Sequence, residues 1–244
     1  MNSLYLDVGN TRIKLAVCTD QEWRIIHIFD YAERDALLSM IRDNHIYYHR
    51  VLVSSVVTPV AGLLTEACPR EKLFIFTNEK IPINRISYDS HSTMGVDRFL
   101  AANGAWIQCR RSCIVIDAGT ACTIDYIDKN GVFQGGVIMP GLKSMEGELL
   151  RSAKALPVIE RSIPDEWPPK STQTGLQWGL FGSYLFALEA HLQRFLKMDK
   201  RAVIWLTGGD GRLMTRVITP EIRLDEFLVF KGLKSLVDEE GNGS

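Results

Sequence analysis

The chain has 244 residues, room for one large domain or two small ones, and its 46% hydrophobic and 23% charged residues describe an ordinary soluble globular protein. A formal net charge of −1 offers no electrostatic attraction for nucleic acid or an anionic membrane. No apolar run approaches the ~20 residues of a membrane span, and no basic-then-apolar leader opens the chain, so a cytoplasmic location is expected.

Three strands are read first, at 3–7, 12–18 and 23–29. Helical spacing follows at 32–44, with Leu37, Leu38 and Ile41 on one face. Val51 to Val57 reads as a buried strand, and Thr58-Pro59 as a helix start. A short strand spans 73–76, the stretch 78–96 is irregular, and 97–108 is helical. The pattern then restarts with strands at 113–117, 121–127 and 132–138, the last two joined by a hairpin through Asn130-Gly131. A helix near 142–153, a proline-rich loop at 156–170 and a long helix from Thr172 to about Lys197 come next. A strand at 202–206, a glycine-rich turn, a helix, a short strand and a helix near 229–238 complete the chain.

The restart is a repeat. LYLDVGNTRIKLAV at 4–17 and IVIDAGTACTIDYI at 114–127 align with Asp7 on Asp117 and Gly9 on Gly119, an offset of 110 (117 − 7). Each copy is a buried strand, a tight polar turn and a return strand. Two such turns facing each other would hold a nucleotide's phosphates between two lobes, here 1–111 and 112–244. Around Gly9 the backbone N–H groups suit a phosphate, Asn10 and Thr11 add donors, and Lys14 adds positive charge. Asp7 repels phosphate but suits Mg²⁺ or its waters. The same residue types also suit a plain hairpin turn. Asp117, at the end of a buried strand, calls for a cation or donors to compensate it.

Other blocks are open to two accounts. Thr207-Gly208-Gly209-Asp210-Gly211 is either a plain strand-to-helix turn or a flat surface for a nucleobase. Gly135-Gly136 and Pro140-Gly141 read as turns or as walls facing a nucleotide. At Gly95-Val96-Asp97-Arg98 the spacing favours an Asp helix cap with a solvated Arg; the other account is a carboxylate base beside an anion-binding guanidinium. His45 and His49 have no third ligand partner in the sequence, and Cys109 and Cys113 have no matching pair. Leu142 stands where a P-loop needs Lys, and no G-x-G-x-x-G occurs.

Taken together, DVGNTRIK at 7–14, GVDR at 95–98, DAGTACTID at 117–125, GGVIMPG at 135–141 and TGGD at 207–210 resemble the type III pantothenate kinases in order and spacing. SSVV at 54–57, Tyr88 seven residues before Gly95, Thr172 with Gly179, and LVFKGL at 228–233 agree with it. The resemblance implies an α/β, actin-like ATPase fold of two ribonuclease-H-like lobes with mixed central sheets. It implies transfer of the ATP γ-phosphoryl to the 4′-hydroxyl of pantothenate, the first step toward coenzyme A. Asp97 is then the general base, and Tyr88, Gly95, Val96, Asp97, Arg98 and Thr172 bind pantothenate. ATP with Mg²⁺ is bound by Asp7, Val8, Gly9, Asn10, Thr11, Arg12, Ile13, Lys14, Thr120, Gly208 and Gly209. Asp117 holds a monovalent cation, K⁺ or NH₄⁺, and Asp7 is the candidate for Mg²⁺. A homodimer is implied. His91 stands where the family often has Pro, and Ser171 where it usually has Asn. The rival accounts are a kinase for another small polyol or sugar and a non-catalytic nucleotide-binding regulator.

Overall fold

The computed structural model describes residues 3–44, 47–55, 60–215 and 221–242. By internal packing the chain forms two compact units. One comprises Met1–Arg110, Ile127–Gln134 and Phe227–Ser244; the other comprises Arg111–Tyr126 and Gly135–Glu226.

The first unit is built on strands β1 (Ser3–Val8), β2 (Arg12–Thr19), β3 (Glu22–Asp30), β4 (Arg50–Ser55) and β5 (Leu73–Phe76), with helices α1 (Arg34–Asn44), α2 (Val60–Leu64) and α3 (Val96–Cys109). Its sheet order is β3-β2-β1-β4-β5, antiparallel in the meander and parallel from β1 to β5. Alternation sorts the strand residues between two faces. Leu4, Leu6, Val8, Leu15, Val51 and Val53 pack with Leu37, Leu38 and Ile41 of α1. Each such burial contributes about 1.5–3 kcal/mol. The Thr58-Pro59 helix start lies outside the described residues, as does His45.

The second sheet, carried by the second unit except for Ile127 and Phe133–Gln134, comprises β6 (Cys113–Ala118), β7 (Ala121–Ile127), β8 (Phe133–Pro140), β9 (Val203–Thr207) and β10 (Arg223–Leu224), ordered β10-β9-β6-β7-β8. Taken from β8, this is the order of the first sheet, so the sequence repeat is a topological repeat. Asp7 and Asp117 each lie near the end of the central strand of their sheet. Around this sheet run α4 (Leu142–Ser152), α5 (Thr172–Gln177), α6 (Ser183–Met198) and α7 (Gly211–Met214). Ile114, Ile116, Cys122 and Ile124 pack with Leu142, Tyr184, Leu188 and Leu192.

The long helix expected from Thr172 is interrupted by a π-helical turn at Trp178–Gly182 between α5 and α6. Trp178 packs so closely on Gly182 that a Cβ there would stand 2.7 Å from its ring. Its indole N–H donates to the Glu166 carbonyl at 3.1 Å, which ties down the proline-rich loop.

The last helix, α8 (Leu228–Asn242), packs in the first unit against α3. The two helices approach through Gly104 and Gly232. A Cβ on Gly104 would lie 2.0 Å from the Leu228 carbonyl oxygen, and one on Gly232 2.0 Å from that of Leu100. Buried Asn103 fastens the contact, donating to the Gly232 carbonyl at 3.3 Å and to Ser235 Oγ at 2.9 Å.

Candidate active site

In the first unit, strand register sets Lys14, Asp7 and Ser54 in a row across β2, β1 and β4. Directly paired residues share a sheet face, so the three side chains lie on one side. Ser54 is buried, and its hydroxyl has no partner among the described residues. It is a polar member of this row that belongs to the SSVV block but is not among the site residues expected from the sequence. Its signal is a pair of serines inside the otherwise apolar run Val51 to Val57. The turn beyond β1 closes with the Gly9 N–H donating to the Arg12 carbonyl at 3.1 Å, and Asn10 and Thr11 are exposed. Val8 and Ile13 point into the core, so only their backbone is available to a ligand. A Cβ on Gly9 would stand 3.4 Å from the Arg12 carbonyl oxygen, so protein packing alone does not demand glycine there.

The GVDR block opens α3. Its cap position is Gly95, so the Asp helix-cap account of Asp97 does not hold; Asp97 lies in the first turn. Asp97 Oδ1 accepts the Arg98 N–H at 2.9 Å. A Cβ on Gly95 would come 2.6 Å from that same oxygen, so the carboxylate folds back over the helix start only because residue 95 is glycine. Burial pushes the Asp97 carboxyl above its ordinary range, opposed by the Arg98 N–H, the Arg98 guanidinium and the charge of Lys14.

Arg98 is buried rather than solvated, its guanidinium over the rings of Tyr88 (5.8 Å) and Phe133 (5.6 Å). Phe133 was not among the site residues expected from the sequence. It holds Tyr88 in place as well: the Ser87 N–H donates to the Phe133 carbonyl at 2.8 Å, and Ile86 bridges to Phe133. The first unit thus gathers Tyr88, Gly95, Asp97 and Arg98 at one helix N-terminus, where the helix dipole favours anions. Lys14 is near enough for its charge to act on Asp97. At the departure His91, the ring Nε2 is buried without a partner among the described residues.

The second unit repeats the pairing of aspartate and hydroxyl. Asp117 is paired with buried Thr207 across β6 and β9, as Asp7 is with Ser54. Gly208 follows at φ +90°, and a Cβ there would meet Asp117 Oδ1 at 2.4 Å. Gly209 has open space on its Cβ side. The turn after Asp117 is locked from α4. Gly141 N–H and Ser144 Oγ both donate to the Thr120 carbonyl, at 3.0 and 2.8 Å, and a Cβ on Gly141 would lie 2.1 Å from the Gly119 carbonyl oxygen. Arg161 joins Glu146 to Asp210 at 2.7 and 3.2 Å, linking the proline-rich loop to the turn after β9.

Cys122 beneath this turn is an inert core thiol, pushed up to about 11 by burial. Thr172 is exposed at the start of α5. The departure at Ser171 keeps the helix cap, its side chain accepting the Thr174 N–H at 3.1 Å; Ser and Asn cap about equally well.

Residues 3–194 match the family model described as type III pantothenate kinase. The chain belongs to the type III pantothenate kinase family. The type III pantothenate kinase of Listeria monocytogenes serotype 4a (strain HCC23) is 30% identical over 250 residues, 96% of this chain and 95% of that one. Among solved structures, a conserved Campylobacter jejuni protein assigned to the Baf family of transcriptional activators aligns with a TM-score of 0.66 and 21% identity, over 98% of this chain and 99% of that one. MreB5 of Spiroplasma citri bound to ADP aligns with a TM-score of 0.58 and 11% identity, over 99% and 98%. At such identities these structures speak for the fold alone: this member of the pantothenate kinase family has the actin-like ATPase fold.

Proposed function

We propose that this chain works as a pantothenate kinase with Asp97 as general base and Arg98 as the anchor of the pantothenate carboxylate. The reaction is transfer of the γ-phosphoryl group of ATP to the 4′-hydroxyl of pantothenate, giving 4′-phosphopantothenate, the first step of coenzyme A synthesis.

The observation that carries the assignment of roles is the start of α3. A carboxylate raised by burial lies beside a ring-stacked guanidinium. A raised carboxyl is a better proton acceptor near neutral pH, and a planar fork suits a carboxylate. Asp97 takes the hydroxyl proton, the alkoxide oxygen bonds to the γ-phosphorus, and the bond to the β-γ bridging oxygen breaks to release ADP. The transition state is loose, so positioning and charge compensation matter most. Lys14 and the amides of the turn after β1 orient the phosphates, and Tyr88 supports Arg98.

Asp7 is the residue to hold Mg²⁺ through its waters, and Asp117 the residue to hold K⁺ or NH₄⁺; bound there, these ions supply neutralising charge. The close approach of Gly208 to Asp117 fits a site in which backbone and carboxylate are drawn together. Thr120, Gly208 and Gly209 complete the ATP contacts, and Thr172 those to pantothenate.

No helix among the described residues is long and apolar enough to cross a membrane. A cytoplasmic homodimer completes the proposal. The exposed rings of Trp167 and Phe186, which flank Trp178, support a protein contact on the second unit.

ADP release measured with and without pantothenate in potassium buffer tests the function. Strictly pantothenate-dependent release is expected. Release indifferent to pantothenate, or ATP binding without release, would overturn it. Exchanging K⁺ for Na⁺ lowers the rate if Asp117 holds the cation.

A further inference from the structure

Both backbone polar groups of Gly9 are taken within the protein. Its N–H closes the turn on Arg12, and its carbonyl accepts the Tyr31 phenol at 2.6 Å. Tyr31 comes from the corner between β3 and α1, and the local sequence builds that corner to present it. The Asp30 N–H donates to the Glu33 carboxylate at 2.9 Å, one arm of a capping box, and opens the 3₁₀ turn Tyr31–Glu33. Register sets Asp30 opposite Arg12, and the two side chains pair at 3.3 Å. The Tyr31 ring lines a small, mostly apolar cavity with Ile13, Leu37 and Leu38. Burial and then the charge of Asp7 raise the phenol above its usual value, so it remains an O–H donor at neutral pH.

We propose that Tyr31 is a positioning residue for ATP, orienting the phosphate-binding amides through the carbonyl of Gly9. The physical link is the planarity of one peptide. The Gly9 carbonyl and the Asn10 N–H belong to the same trans unit and point in opposite directions. Holding the oxygen toward Tyr31 aims the Asn10 N–H away from it, at a residue that is itself exposed. Without the phenol, the 9–10 peptide loses this restraint and the amide is aimed less tightly. The role rests on residues 7–14 being an ATP-binding turn.

The test compares Tyr31→Phe with Lys14→Ala, measuring MgATP affinity by calorimetry, the KM for each substrate and the melting temperature. Tyr31→Phe is expected to weaken ATP about three- to ten-fold, the range of one neutral hydrogen bond, with pantothenate KM and melting temperature unchanged. If Lys14→Ala weakens ATP while Tyr31→Phe behaves as wild type, the Tyr31 role is overturned and the turn keeps its ATP role. If neither variant changes ATP affinity, the turn does not bind ATP and the Tyr31 role falls with it. An equal rise in both KM values, or a lowered melting temperature, makes Tyr31 a structural residue and overturns the role.

Discussion

Asp117 and Gly208 sit so close that only glycine fits: a Cβ on Gly208 would lie 2.4 Å from Asp117 Oδ1 and 2.5 Å from the Ala118 carbonyl carbon. Gly208 also has φ +90°, a conformation that costs other residues energy. Both constraints act where the proposed cation and nucleotide residues meet. Gly208→Ala is therefore expected to destabilise the protein by about 1–3 kcal/mol and to raise the K⁺ concentration needed for activity. Thermal melts and a K⁺ titration check it. An alanine variant with unchanged melting and K⁺ response would show that the approach carries no function.

Asp97→Asn separates stability from catalysis. Turnover should fall by about 10²–10⁴ with ATP binding intact. The folded protein raises the Asp97 carboxyl, chiefly by burial, so it holds the proton more tightly than the unfolded chain. That contribution is complete below the unfolded value near ~4 and is lost as pH rises through the folded one. At pH 7 the ionised carboxylate is then a cost that the neutral amide removes. Asp97→Asn should melt higher than wild type at pH 7, with the gain shrinking toward pH 4. A variant that melts lower at pH 7 would contradict the electrostatic account; unchanged turnover would remove Asp97 from its role.

Arg98 offers both charge and a planar face to Tyr88 and Phe133. Arg98→Ala should raise pantothenate KM by about ten- to a hundred-fold, the range of a charged hydrogen bond, and leave ATP KM steady. Arg98→Lys keeps the charge but not the fork or the stacking, so it should recover only part of the loss. Steady-state kinetics decide it: equal effects on both substrates would argue against a pantothenate anchor.

Two glycines distinguish packing from propensity. Gly104→Ala places a methyl group where the Leu228 carbonyl stands and should cost about 1–3 kcal/mol as α3 and α8 are forced apart. Gly147, exposed in α4, has nothing within 4 Å of a Cβ, so Gly147→Ala should stabilise by about 0.4–1 kcal/mol. Urea midpoints of the pair check both signs.

The elements readable from sequence are those whose signals are local. β1 and β6 declare themselves through apolar runs ending in Asp-x-Gly, and Asn130-Gly131 announces its hairpin. Asp97 shows the limit of local signals. Its spacing suggested a helix cap, but Gly95 takes that position, because the cap is decided by where the preceding backbone turns. The π-helical turn at Trp178–Gly182 likewise leaves no periodic signal in the sequence; Trp178 packs over Gly182 and donates to the Glu166 carbonyl.

The amino-acid sequence by itself determined the repeated Asp-Gly turns, the strand-rich halves that carry them and the family to which they belong. These follow from nearest-neighbour chemistry and from the order of motifs along the chain. Only the tertiary structure decided that Phe133 lies against Arg98, that Ser54 and Thr207 are paired with the two aspartates, that Tyr31 holds Gly9, and that α8 returns to α3. Each joins residues far apart in sequence, and such a contact leaves no periodic trace. It forms because buried rings, hydroxyls and carbonyls must find partners once the sheets assemble.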